Sequence, residues 1–133
     1  MDPVTLEGRA AAELLARKAS LAHTATDALY ADMPELMDRY GAAGRERCLD
    51  DIRYTIDHLI PAVDLAQPSM FTTYVGWLDD LLRARNVSTR EVIRSLELIE
   101  QAVRGELAPD EADVVAACLR AGLDSLGAAR RDR

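Results

Sequence analysis

The chain has 133 residues, 49% of them hydrophobic and 29% charged, with a formal net charge of −7: the size and make-up of one globular domain with its own core. So acidic a chain offers no basic face to a nucleic-acid backbone, and no apolar run approaches the roughly 18 residues that span a bilayer. Two cysteines, Cys48 and Cys118, make no disulfide framework, and the N-terminus is not signal-like, so a cytoplasmic protein is expected.

Ala and Leu dominate the apolar residues while Gly and Pro are sparse, which favours helices. Asp2-Pro3 reads as a helix opening, Asp as cap and Pro at the first helical position. The stretch it opens runs to about Tyr30, with Leu6, Ala10, Leu14, Leu15 and Leu21 as its apolar positions. Ser20 and residues 24–26 are the places where it could break in two. Asp32-Met-Pro-Glu35 reads as a second start, with an acid three residues after a candidate cap, and the helix it opens ends near Gly41. Residues 42–66 form the next helix, with Cys48, Ile52, Ile56, Leu59, Ile60 and Val63 at helical spacing. Pro61 should kink or loosen it.

After Gln67-Pro68, a helix over 69–85 is expected to bury Phe71, Tyr74, Val75, Leu78, Leu81 and Leu82. Ser88-Thr-Arg-Glu91 is a capping box, and it opens a helix with Val92, Leu96, Ile99, Val103 and Leu107 on one face. Pro109 starts the last helix, with Val115, Cys118, Leu119, Gly122 and Leu126 inward. Arg130, Arg131 and Arg133 read as a solvated basic tail. The sum is an all-α single domain over residues 1–133, six to seven helices without strands. Patterning alone fits a bundle and a globin-like packing equally.

No catalytic apparatus is evident, and an enzyme is not expected. His23 and His58 lie in different helices, and neither cysteine nor any serine occupies a strand-turn-helix elbow. The acid pairs Asp50/Asp51 and Asp79/Asp80 point about 100° apart on a helix and do not converge. Zinc-ligand spacings are absent. Haem is disfavoured, because His58 is the one plausible axial ligand and the following helix has no histidine.

Residues 45–58, R-E-R-C-L-D-D-I-R-Y-T-I-D-H, stand apart. Cys48 and Asp51 are three apart and share a helical face that continues to Thr55, beside the apolar row Ile52, Ile56 and Leu59. Asp51 either pairs at the surface with Arg47 or Arg53, Cys48 being a small core residue, or it is half-buried and needs hydrogen-bond donors from elsewhere.

The run Cys48-Leu-Asp-Asp51-Ile52-Arg-Tyr54 resembles the chromophore helix of the phycobiliproteins, C-x-R-D-I-x-Y, and Tyr74 falls where that family has a tyrosine lining the bilin pocket. The resemblance covers roughly residues 45–104, and the first 40 residues match no element of the family. It implies a globin-like fold of the phycobiliprotein type. It also implies a linear tetrapyrrole such as biliverdin or phycocyanobilin, bonded to or touching Cys48, with Asp51 accepting from the pyrrole nitrogens. Arg45 and Arg47 become propionate partners that would also lower the Cys48 pKa against the opposing Asp50 and Asp51, and Tyr54, Tyr74 and Trp77 the aromatic surroundings. Asp50 stands where the family has an arginine. A carboxylate there repels a propionate, which weighs against covalent, antenna-type attachment more than against bilin binding itself.

The segment from His58 through Phe71, Tyr74, Trp77 and Leu81 to Ser95-Leu96-Glu97 also resembles helical regions that precede cobalamin-binding domains in bacterial regulators. This likeness consists of helix-packing positions. The expectation is a bilin-binding domain for sensing, signalling or bilin handling, acting as a homodimer. The rival is a ligand-free regulatory globin that works through dimerisation, or the globin part of a cobalamin-associated photosensor with a further signalling domain.

Overall fold

In the computed structural model, which describes residues 5–131 (their side chains through 127), every element is an α-helix. They are α1 (Leu6–Asp32), α2 (Glu35–Asp64), α3 (Pro68–Ala84), α4 (Thr89–Glu106) and α5 (Pro109–Arg131). Five helices stand in place of the six to seven expected, because two anticipated breaks do not form. Across residues 20–26, Thr26 donates to the Ala22 carbonyl at 2.8 Å, a back-bond that absorbs its hydroxyl inside the helix, and α1 runs on unbroken. At Gly41 the chain does turn, with φ 70° and ψ −173°, a backbone region that is essentially glycine's alone. The helix resumes at once, so the break is a kink within α2.

The caps follow simple chemistry. The Asp2-Pro3 opening lies outside the described residues; α1 begins at Leu6 behind Thr5, whose hydroxyl accepts from the Gly8 N–H at 2.9 Å. Asp32 is the last residue of α1 and not the cap of α2. Its carboxylate accepts from Arg94 at 2.8 Å, and Pro34 precedes α2 without a side-chain cap. Pro61 lies in the last turn of α2 and leaves its dihedrals helical, so the expected kink does not form there. Ser88 caps α4 by accepting from Glu91 N–H at 3.2 Å. The Glu91 side chain does not return to the cap, as a full box would require, but turns to Arg39 and Tyr40 of α2.

The helices pack α1 along α2 and α3 against α5, with α4 against both α1 and α5. Their shared core holds Phe71, Leu14, Leu21, Ile56, Leu96 and Leu119. Leu15 falls outside the stripe and is exposed, while Leu81 and Leu82 are half-buried. α5 comes close to α3 at Gly122, where an added Cβ would lie 2.9 Å from the Phe71 ring. Buried polar groups fasten the layers: Thr89 of α4 donates to Asp79 of α3 at 2.7 Å, and Glu100 of α4 accepts from Arg120 of α5 at 3.1 Å. No helix among the described residues is long and apolar enough to cross a membrane.

Candidate ligand cavity

Beyond the kink at Gly41 the long arm of α2 packs on α1 and α3, and a cavity of about 260 Å³ lies between α2, the end of α1, α3 and α4. Apolar walls come from Leu29, Leu36, Ile52, Leu78, Leu96 and Ile99. The polar groups on it are few: Arg47, Cys48, Asp51 and Thr55 from α2, Arg85 from the α3–α4 turn, and Tyr30, Tyr40, Glu91 and Ser95 around them.

Of the residues singled out in the sequence, Cys48, Asp51 and Arg47 line this cavity. Asp51 does not pair with Arg53, which turns to Asp50 at 3.5 Å, and none of the described residues donates a hydrogen bond to its carboxylate. Burial therefore raises the Asp51 pKa above the ordinary carboxylate value, helped by Asp50, and the charges of Arg85 and Arg47 oppose that rise without cancelling it. Cys48 is pushed up to about 12, first by burial and then by the Asp51 charge, against the lowering pull of Arg45. Of the opposing influences expected on this thiol, the acid's prevails over the arginine's, and desolvation outweighs both.

Arg45 is not at the cavity. Its guanidinium pairs with Asp27 of α1 and lies 5.0 Å from the centre of the Tyr30 ring. Tyr74, Tyr54 and Trp77 form an aromatic cluster just outside it. Tyr74 is buried, its pKa pushed up to about 12 by desolvation. Its hydroxyl lies 3.1 Å from the Thr55 hydroxyl, which joins the cluster to the cavity wall. His58 stacks on Tyr74 with centroids 4.1 Å apart, and its Nδ1 donates to the Tyr54 carbonyl at 2.9 Å. Tyr54 and Trp77 flank Tyr74 at 6.1 and 5.8 Å and are about half exposed.

Arg85, Glu91 and Tyr40 escaped the sequence because nothing local marks them. Arg85 is 34 positions beyond Asp51 and reaches it only through the α2–α3 packing. Glu91 is fully accounted for, locally, as a capping-box acid.

The donor set suits a linear tetrapyrrole. One half-buried carboxylate lacks donors, two arginines face it, and the walls are apolar. The volume of about 260 Å³ lies just under the roughly 300–1,000 Å³ of small-molecule sites. The cavity is thus smaller than a whole tetrapyrrole requires, and Thr55 is the wall residue that adjoins the aromatic cluster.

Five helices, four of which line an apolar cavity with one half-buried acid, define an all-helical type of domain with room for a ligand. The model of the phycobilisome protein family matches residues 5–126, and the chain belongs to that family, whose fold is globin-like and all-α. The match extends well beyond residues 45–104 and takes in the N-terminal helix, which carried no resemblance of its own. Membership implies binding of a bilin chromophore. No curated protein sequence matches the chain.

Proposed function

We propose that this domain binds a linear tetrapyrrole, biliverdin or phycocyanobilin, in the α2–α4 cavity, and that it serves sensing, signalling or bilin handling rather than light harvesting or catalysis. The observation that carries this reading is Asp51. A carboxylate half-withdrawn from water with no protein donor is costly, and protonated pyrrole nitrogens supply the donors and the charge it lacks. Arg47 and Arg85, both at the cavity, take the propionates; Arg85 replaces Arg45, which is committed to Asp27. Tyr74 and Trp77, with Tyr54, give the conjugated plane an aromatic surface where it leaves the cavity. Cys48 is a contact residue whose thiol, protonated at neutral pH, adds slowly to any electrophilic side group. The bound group supplies visible absorption; the chain supplies its extended shape and its charge.

The test is titration of the purified protein with each pigment. A red-shifted, sharpened visible band that disappears in Asp51→Ala is expected, and free-pigment spectra throughout would sink the reading. Zinc-enhanced fluorescence on a denaturing gel then asks for covalent linkage; full signal retained in Cys48→Ala would move any attachment elsewhere.

A second reading, a regulatory module that acts by pairing with another copy, is favoured by the exposure of Leu65, Met70 and Trp77 along α2 and α3. A monomer at all concentrations in analytical ultracentrifugation would exclude it.

A further inference from the structure

We propose that residues 35–40, the short arm of α2, are a hinged cover over the cavity, held shut by a latch of Tyr40 and Arg39 on Glu91. The hinge is Gly41, whose positive φ lets the arm meet the rest of α2 at an angle no other residue holds without strain. The arm supplies Leu36 and Tyr40 to the cavity wall, so its position decides how much of the cavity is open.

The latch is built from both sides. The Tyr40 hydroxyl donates, as a shared bond, to Glu91 Oε2 at 3.2 Å and to the Asn86 carbonyl at 3.3 Å. Arg39 Nη1 donates to Glu91 Oε1 at 3.1 Å, and its guanidinium carbon lies 5.8 Å from the centre of the Tyr40 ring. Glu91 itself is buried, so these bonds are only partly screened by water. Tyr40 rests directly on Gly44, where a Cβ would collide with the Cβ of the tyrosine. The absence of a side chain at Gly44 is thus what allows the arm to lie this close to the rest of α2. Asn86, the other anchor, is itself held at φ 65° in the α3–α4 turn.

Every one of these contacts joins the arm to α4 or its preceding turn, or seats it on the far side of the hinge. With them broken, the buried side chain of Leu36 is the arm's remaining anchor to the core. Because the cavity is smaller than a typical small-molecule site, a large ligand needs it to widen, and the arm is the wall whose displacement widens it. The cover governs access whatever the ligand is, and so stands independently of the bilin assignment.

Cys48 lines the cavity and reports on access without any pigment, while Cys118 in α5 is buried elsewhere and reports on global opening. The experiment is iodoacetamide labelling of the native chain at fixed pH, with each cysteine followed by peptide mass spectrometry. Tyr40→Phe, which keeps the ring but loses the hydroxyl's bonds to Glu91 and Asn86, should label Cys48 roughly tenfold faster, the factor expected for a lost hydrogen bond to a charged acceptor, and Gly44→Ala, whose Cβ pushes the arm away at the Tyr40 Cβ, should also label it faster. Cys118 should be unchanged. A Cys48 rate unaffected in both variants overturns the proposal, and so does a parallel rise at Cys118, which would mean general loosening. Pigment binding that fails while Cys48 responds as expected would count against the bilin reading and leave the cover standing.

Discussion

Asp51 is held in a position that costs the domain stability. Its pKa is raised by burial, with Asp50 adding to the effect, so between the ordinary carboxylate value and the raised one the native state binds more protons than the unfolded chain. Stability therefore falls as pH rises through that window, and the full penalty is present above it. Asp51→Asn should raise the thermal midpoint at pH 7, with the gain shrinking to nothing as pH drops below the ordinary carboxylate range. A variant less stable than the parent at pH 7 would show that a protein donor satisfies the carboxylate after all. Cys48 gives a second residue-scale expectation. With its thiol pushed up to about 12 against an ordinary value of 9.0, the thiolate is scarce at pH 8. Cys48 should alkylate on the order of a hundredfold or more slower than a free cysteine peptide; equal rates would mean that the arginines nearby do activate it.

At the scale of the helices, the α3–α5 crossing is set by one small residue. A Cβ at Gly122 would stand 2.9 Å from the Phe71 ring and 3.2 Å from Val75, and Phe71 is fully buried with no room to retreat. Gly122→Ala should cost about 1–3 kcal/mol in chemical denaturation, the range for overpacking a tight core, despite alanine's better helix propensity. A neutral or stabilising effect would mean that the two helices separate easily. Much of this level was legible beforehand, because local signals decide it: Ser88 caps α4, Gly41 turns α2, and the 3.6-residue stripes of α4 and α5 face inward. The errors were where a distant partner overrides a local signal. Asp32 has the right chemistry for a cap but is drawn to Arg94. Thr26 resembles a helix breaker but hydrogen-bonds within its own helix.

Taken whole, the molecule brings together what its sequence keeps far apart. The Cys48–Asp51 face was visible in helical spacing, yet the opposing wall was not, since Arg85, Glu91 and Leu96 reach it only once α3 and α4 have packed. The same packing turned Arg45 away, through an α1 carboxylate that no spacing rule connects to it. A site assembled from four helices and a turn also links ligand binding to folding, because the unfolded chain has no equivalent of it. If a bilin binds only the native state, it stabilises by RT ln(1 + [L]/Kd), about 2.7 kcal/mol at a free pigment concentration of one hundred times Kd. Biliverdin at that excess should therefore raise the denaturation midpoint by several degrees, and the rise should vanish in Asp51→Ala. Arg85→Ala should weaken the shift more than Arg45→Ala, since only Arg85 lines the cavity. The reverse order would return the propionate role to Arg45, and an unchanged midpoint in the parent at saturating pigment would leave pairing between copies as the better account of the family fold in this chain.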